Sequence, residues 1–113
     1  MRWVLRSKIH KAIVTESRLD YIGSITIDDD LIRKAGFWPG EKVLVASNTT
    51  GKRLETYVMV GPKGSGTICM NGAAAHIIKA GEEIIVMGFE LTNRRLKAKN
   101  VLVDRKNRFK SYL

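Results

Sequence analysis

Apolar and polar residues alternate along most of this chain, which is the pattern of half-buried β-strands. The first such run covers residues 3–15 and predicts a strand with one apolar and one basic face. Its apolar face would carry Trp3, Leu5 and Ile9, and its basic face Arg6, Lys8 and His10. The run 52–60 would place Leu54, Thr56 and Val58 on one face and Arg53, Glu55, Tyr57 and Met59 on the other.

Helices are predicted at only two places. Asp28 to Asp30 supply an N-cap and favourable negative charge for a helix over residues 29–35, and Gly36 is its natural C-terminal stop. A shorter helix would follow a turn at residues 71–75. The remaining predicted strands cover residues 24–27, 42–46, 66–70, 83–91 and 101–103. The chain is therefore predicted to be mainly β.

A weak internal repeat relates these elements to one another. A shift of 41 positions superimposes Gly23-Ser24 on Gly64-Ser65, Thr26-Ile27 on Thr67-Ile68, Gly40-Glu41 on Gly81-Glu82 and Val45 on Val86. Each copy would contain a strand, a short helix, a Gly-Glu turn and a second strand. Two interlocked copies of this unit are expected to form a small β-barrel without an exposed sheet edge.

Length and composition limit the class of protein. The 113 residues suffice for one domain, and a hydrophobic content of 44% predicts a folded chain. No apolar run approaches the roughly 20 residues that span a bilayer, and basic residues interrupt the N-terminal segment, so a signal peptide is not expected. The single cysteine, Cys69, excludes an internal disulfide, fits a reducing cytoplasm and is expected to be buried.

The net charge of +9 is concentrated near the C-terminus. Residues 94–113 carry eight basic residues and one acidic residue, whereas residues 24–93 are close to neutral. Such a segment could bind nucleic acid or could be a solvated terminus. The second interpretation is favoured, because only Phe109 and Tyr112 are available there to stack on bases. Two classes of protein are therefore considered: an enzyme, and a non-enzymatic barrel that binds nucleic acid through this segment.

The Gly23-Ser24 pair is the main candidate for a reactive site in the sequence. Glycine tolerates a strained backbone and lets a neighbouring hydroxyl approach its carbonyl carbon. An ordinary turn is the simpler interpretation, and the repeat supplies a second pair, Gly64-Ser65, that composition does not exclude. Ser24 is favoured because Tyr21 and a β-branched run surround it, whereas Ser65 lies in a glycine-rich, mobile turn.

The other candidate residues are polar and scattered along the chain. They are Lys8, His10, Arg53, Thr56, Tyr57 and Asn71. Arg53 could bind a carboxylate through two hydrogen bonds and Tyr57 could donate a proton, although each such residue is more often structural. A metal site is not predicted, because neither His10 nor His76 has partners at ligand spacing. A hydrolase triad would have only His10 as its base.

Several strings of the sequence match a known family. They are Lys8-Ile9-His10, Tyr21-Ile22-Gly23-Ser24, Asn48-Thr49-Thr50-Gly51-Lys52-Arg53, Thr56-Tyr57, Gly64-Ser65 and Asn71-Gly72-Ala73-Ala74-Ala75-His76. In this order and spacing, as far as about Phe89, the chain closely resembles the pyruvoyl-dependent aspartate 1-decarboxylases of bacteria. The remaining residues match only loosely.

The resemblance implies a small double-psi β-barrel with short helices, made as a precursor that cleaves itself. The Ser24 hydroxyl would attack the Gly23 carbonyl, and elimination and hydrolysis would leave a pyruvoyl group on residue 24. The single domain of residues 1–113 would thus become a β chain, residues 1–23, and an α chain, residues 24–113. The covalent pyruvoyl group would be the cofactor, without metal or pyridoxal phosphate.

The implied activity is decarboxylation of L-aspartate to β-alanine and CO2, a step of pantothenate and coenzyme A synthesis. A pyruvoyl ketone joined to the substrate amine as a Schiff base accepts the electrons left by CO2. By the resemblance, Tyr57 is the proton donor and Thr56 stabilises the oxyanion of self-cleavage. The substrate-binding residues would be Lys8, Arg53, Thr56, Gly72, Ala73 and Ala74, with His10, Tyr21 and Asn71 in supporting positions.

The resemblance also implies a homotetramer with sites between subunits and L-aspartate as the small-molecule partner. Neither a membrane nor nucleic acid is expected as a partner. Two features depart from the family pattern. Ile22 stands where some relatives have glutamate, which leaves the rate of processing and the need for a helper protein open. The basic C-terminus differs from the more acidic tail of some relatives.

Overall fold

Nine β-strands and two short helices make up the computed structural model, which describes residues 1–113. The strands are β1 (Arg2–Ile13), β2 (Glu16–Arg18), β3 (Ser24–Asp28), β4 (Lys42–Ser47), β5 (Arg53–Gly61), β6 (Ile68–Asn71), β7 (Glu83–Thr92), β8 (Lys99–Val103) and β9 (Phe109–Tyr112). The helices are α1 (Asp29–Ala35) and α2 (Ala74–Ile77), and neither is long and apolar enough to cross a membrane. The prediction of a mainly β chain with short helices is confirmed.

The strands form one strongly curled sheet in the order β2-β6-β3-β5-β4-β7-β1-β8-β9. Only Val14 and Thr15 separate β1 from β2 along the chain, although five strands lie between them in the sheet order. The sheet must therefore curl until the β2 end lies beside β1, as in a barrel. The expectation that no sheet edge would remain is wrong, because β9 pairs only with β8 and β2 only with β6.

The two copies of the repeat are interlocked around an approximate two-fold axis. The shift of 41 residues relates Ile27 to Ile68, and these two residues lie directly opposite each other in the β3–β6 pair. The same holds for Val45 and Val86 in the β4–β7 pair. A residue can face its own repeat equivalent only where a two-fold axis passes between the two. The repeat is thus a property of the fold.

The Gly-Glu turns of the two copies also have the same hydrogen bond. The Glu41 carboxylate accepts from the backbone N–H of Trp38 at 2.9 Å, and the Glu82 carboxylate accepts from that of Lys79 at 2.7 Å. In each copy the acceptor lies three residues after the donor. Each carboxylate thereby satisfies a turn N–H that the adjoining strand cannot pair.

The hydrophobic core consists of 21 buried side chains, most of them from the inward faces of the strands. Ile25, Ile27 and Ile68 are completely buried there and hold β3 against β6. Burying one such side chain contributes about 1.5–3 kcal/mol. These contacts fix the ends of β3 and β6, where Ser24 and Asn71 lie.

The predicted faces of β1 are wrong for its first half. Trp3 and Leu5 pair with Leu91 and Phe89 on the outward side of β7, whereas Ile9 pairs with the buried Val86. A bulge between Leu5 and Ser7 adds one unpaired residue and reverses the alternation. Trp3 is consequently 70% exposed. The faces predicted for residues 52–60 agree with β5, where Val58 is buried and Arg53, Glu55 and Tyr57 are exposed.

The expectation of a solvated terminus is wrong for the backbone of the C-terminal segment. Val101 and Val103 of β8 belong to the core. Asn107 is buried, donates to the carbonyl oxygens of Ile13 and Gly66 at 2.8 Å each and accepts from the Ile13 N–H at 2.7 Å. The backbone of this segment is therefore part of the barrel, while its eight basic side chains are all exposed.

Candidate active site

Ser24 begins β3 and is completely buried. Its Oγ accepts a 2.8 Å hydrogen bond from Nδ2 of Asn71, which is its partner residue on β6. The same Oγ donates a longer hydrogen bond, 3.4 Å, to the carbonyl oxygen of Ile22. Asn71 is also buried, and its Nδ2 donates to Oγ1 of Thr26 at 2.9 Å. Protein groups thus act as both the donor to and the acceptor from the Ser24 hydroxyl.

The backbone strain expected at Gly23 lies at Gly72 instead. Gly23 has no positive φ, and a Cβ added to it would meet only the Asn71 carbonyl oxygen, at 3.9 Å. Gly72 has a φ of 63° and a Cβ there would lie 2.8 Å from Cα and N of Gly23 and from the Tyr21 carbonyl oxygen. Only glycine at position 72 lets the two backbones approach this closely.

The twin pair Gly64-Ser65 has different surroundings. Ser65 is exposed, and its Oγ donates to the carbonyl oxygen of Pro62 at 2.6 Å, within its own turn. The N–H groups of Gly64 and Gly66 both donate to the buried carboxylate of Asp28 at 2.9 Å. The two Gly-Ser pairs that composition could not separate therefore differ in burial and in hydrogen-bond partners.

Tyr57 and Thr56 lie at the same end of β3 as Ser24. The parallel β3–β5 pairing begins at Ile25 opposite Val58. Continuing this register backwards places Ser24 level with Tyr57 and Gly23 level with Thr56. Tyr57 and Tyr21 also line one cleft of about 400 Å³ together with Ile22. The structure therefore brings Tyr21, Thr56, Tyr57, Asn71 and Gly72 to the ends of the strands around Ser24.

A second cleft, of about 470 Å³, is lined by Asn71 and by several other polar residues. Its lining residues include Glu16, Arg18, Tyr21, Thr26, Cys69 and Asn71. Thr26 and Cys69 were not predicted as site residues. The register could have indicated them, because Ser24 and Thr26 share one face of β3 and lie opposite Asn71 and Cys69 on β6.

Lys8 and Arg53 do not meet Ser24 within one chain. Lys8 lies on the outward face of β1, since the adjacent Ile9 is completely buried. The exposed Arg53 lies on the outward face of β5, opposite to the face of the buried Val58. Arg53 precedes Tyr57 by four residues along β5, which corresponds to about 13 Å. Lys8 is on β1, four strands from β3 in the sheet order. Neither residue forms a salt bridge within the chain, so both positive charges are free to bind an anion.

His10 lies at a second bulge of β1, beside Lys11, whose φ is 68°. Its Nδ1 is buried without a hydrogen-bond partner. Burial, followed by the positive charges of Lys8 and Lys11, lowers the pKa of His10 below its ordinary value of 6.5. The imidazole is therefore neutral at pH 7 and can accept or donate one proton, but it adds no positive charge for an anionic substrate.

The outward face that carries Lys8 and Arg53 is rich in apolar side chains. Trp3 is 70%, Leu91 43% and Phe89 39% exposed. Trp3 and Phe89 also line a cleft of about 560 Å³, whose lining includes Leu44 and the Lys42–Glu55 ion pair. We call this surface, formed by the outward residues of β1, β4, β5 and β7, the outer face.

Fold and site together define a small, curled β protein in which an Asn-Gly segment contacts a Gly-Ser segment and holds its buried serine. The family model for aspartate decarboxylase matches residues 1–110. A protein named aspartate 1-decarboxylase from Caldicellulosiruptor bescii is 50% identical over 109 residues, which cover 93% of this chain and 85% of that protein. Proteins of the same name come from Pelotomaculum thermopropionicum (47%, covering 93% and 83%) and Neisseria meningitidis (44%, covering 99% and 91%). The chain belongs to the aspartate decarboxylase family.

Proposed function

We propose that this chain is a self-processing aspartate 1-decarboxylase, which converts L-aspartate to β-alanine and CO2 with a pyruvoyl group made from its own Ser24. The observation that carries the proposal is the buried hydrogen bond of 2.8 Å from Asn71 to the Ser24 hydroxyl, beside a Gly-Ser peptide bond. Its product would supply pantothenate and coenzyme A synthesis. The single buried cysteine is consistent with a cytoplasmic location.

Self-cleavage would use groups already at the end of β3. The Ser24 Oγ forms a bond to the Gly23 carbonyl carbon, the C–N bond breaks and the nitrogen takes up the hydroxyl proton, giving an ester. Elimination then releases the Gly23 carboxylate, and hydrolysis releases ammonia and leaves the ketone. The side-chain N–H of Asn71 stabilises negative charge on the Ser24 Oγ as this oxygen loses its proton. Thr56, which lies level with Gly23, would stabilise the oxyanion that forms on the Gly23 carbonyl.

When CO2 leaves, its bonding electrons remain on the substrate Cα and need an acceptor. The pyruvoyl ketone, once formed, would be that acceptor. The chain's own residues would bind the substrate and return a proton to it. Arg53 and Lys8 bind the substrate carboxylate as free cations, and the Tyr57 phenol, level with residue 24, returns a proton to the substrate Cα. The N–H of Gly72 already donates to the Arg18 carbonyl oxygen at 2.7 Å. Backbone contacts to substrate would therefore come from Ala73 and Ala74.

The proposal includes a homotetramer in which a second subunit supplies Lys8 and Arg53. Two observations support it. These cations lie away from Ser24 of their own chain, and the outer face around them exposes Trp3, Phe89 and Leu91. Covering such side chains is the usual role of a subunit contact. Packing the outer face of one subunit against the β3 end of another would complete the site.

Intact-mass analysis of the purified protein tests the cleavage. We expect two chains, residues 1–23 and 24–113, the second beginning with pyruvoyl, and formation of β-alanine from aspartate. Ser24→Ala should remain uncut and inactive, while the matched control Ser65→Ala should be cut and active. A single uncut wild-type chain that forms no β-alanine would refute the proposal.

Mixed oligomers test the shared site. Alone, Ser24→Ala chains should be inactive and Arg53→Ala chains should have little activity at low aspartate concentration. Co-expression should raise this activity, because some sites combine an intact Ser24 with an intact Arg53. Native mass spectrometry would show that mixed oligomers form. Mixed oligomers without this increase would contradict a site shared between subunits.

A further inference from the structure

Cys69 is joined to Ser24 through the side chain of Asn71. It lies on β6 opposite Thr26 and is 4% exposed. Its Sγ donates to Oδ1 of Asn71 at 3.2 Å. The Nδ2 of the same amide donates to the hydroxyls of Ser24 and Thr26. The thiol therefore holds one end of an amide whose other end holds Ser24.

The thiol favours one orientation of this amide over the other. A hydroxyl can either donate or accept, so Ser24 and Thr26 are compatible with both orientations of the Asn71 side chain. A thiol is a donor and only a weak acceptor, and it therefore favours Oδ1 over Nδ2. The other acceptors near Sγ are farther away, at 3.7 Å for the Glu16 carboxylate and 3.8 Å for the Met70 carbonyl oxygen.

We propose that Cys69 is a positioning residue for cleavage of the Gly23–Ser24 bond, because its hydrogen bond to Asn71 keeps the amide N–H directed at the Ser24 hydroxyl. The inference rests on the proposed self-cleavage. An N–H at this position stabilises the oxygen as it loses its proton. A reversed amide would place its carbonyl oxygen there, where it would retain the hydroxyl proton and repel the developing charge.

The surroundings of Cys69 keep its thiol protonated. Burial, followed by the negative charge of Glu16, raises the pKa of Cys69 above its ordinary value of 9.0, and Arg18 offsets this only in part. The thiol proton, which Cys69 donates in its hydrogen bond to Oδ1 of Asn71, is thus present at neutral pH. The carboxylate of Glu16 serves the amide indirectly in this way.

Cleavage rates of freshly translated chains, followed by intact mass, test this role. Cys69→Ala removes the donor, and Cys69→Val removes it while retaining most of the volume. Both should slow cleavage about two- to fivefold, the effect of one S–H···O bond. Cys69→Ser keeps a donor, but its hydroxyl can also accept, so its cleavage rate should lie between those of the wild type and Cys69→Ala. The matched control Ile68→Val removes one carbon from the opposite face of β6 and should cleave normally.

The outcomes separate this inference from the proposed function. An uncut wild-type chain would overturn both. If the wild-type chain is cut, and Cys69→Ala and Cys69→Val are both cut at the wild-type rate, only the role of Cys69 would be overturned. Equal slowing of Cys69→Ser and Cys69→Ala would also overturn it, because the donor would then be irrelevant. Melting temperatures of all variants would show that each is folded.

Discussion

Replacing Gly72 with alanine tests how closely the Gly23–Ser24 segment depends on its neighbour. Position 72 has a φ of 63°, and an added Cβ would lie 2.8 Å from Cα and N of Gly23 and from the carbonyl oxygen of Tyr21. All three are backbone atoms, which cannot rotate away as the end of a side chain could. The methyl group must therefore displace Gly23 or strain its own residue.

The expected cost has two parts. A non-glycine residue in the left-handed region costs about 1–2 kcal/mol, and inserting a methyl group into packed surroundings costs about 1–3 kcal/mol. Together they amount to about 2–5 kcal/mol, a large part of the roughly 5–15 kcal/mol that stabilises a typical domain. Gly51→Ala is the matched control, because Gly51 has a φ of 79° and nothing within 4 Å of an added Cβ. It should show only the first part.

The two variants should be compared by urea unfolding in a Ser24→Ala background, where all chains are expected to be uncut. Protein concentrations must be equal, because association would change the apparent stability. With Ser24 restored, Gly72→Ala should slow cleavage by about 100-fold, since a shift near 1 Å in a reacting group has such an effect. Equal unfolding free energies for Gly72→Ala and Gly51→Ala, together with normal cleavage of both, would refute the reasoning.

Three further predictions concern single side chains. Tyr57→Phe should be cut normally but lose about 10²–10⁴ in kcat if Tyr57 donates the proton; failure of cleavage would make its role structural. Arg53→Gln should be cut normally and raise KM for aspartate at least about tenfold, and an unchanged KM would exclude Arg53 from binding. Burial alone would raise the pKa of Glu82, but hydrogen bonds from the Ser47 hydroxyl and the Lys79 N–H outweigh it and lower this pKa below its ordinary value of 4.5. The fold should therefore lose stability as the pH falls below 4.5, and Glu82→Gln should not show this loss in an acid titration followed by circular dichroism.

Local signals were sufficient to predict α1 to the residue. The Asp28 carboxylate accepts from the N–H of Asp30 at 2.9 Å, and Gly36 ends the helix with a φ of 73°. Both interactions involve residues close together in sequence, so the pattern of side chains carries the information. The alternation along β5 was predictable for the same reason, because it depends on the pleat alone.

Features that depend on distant partners were not predictable. β2 and β9 are short and without a regular apolar pattern, and they are strands because β6 and β8 lie beside them. The bulge that turns Trp3 outward is a mismatch between β1 and β7. At the site, Asn71 was predicted by resemblance, but its contact with Ser24 depends on the β3–β6 register, and Thr26 and Cys69 join the site through that same register.

The two Gly-Ser pairs explain why the dipeptide alone does not determine reactivity. Around Gly64-Ser65 the facing group is the Asp28 carboxylate, which can only accept hydrogen bonds when ionised and binds the backbone N–H groups of the turn. Around Gly23-Ser24 the facing group is the Asn71 amide, which donates to the serine oxygen. A donor stabilises that oxygen as an anion, whereas a carboxylate would repel it. An approximately two-fold fold thus binds one turn through an acceptor and presents a donor to the serine of the other, where the proposed self-cleavage would use it.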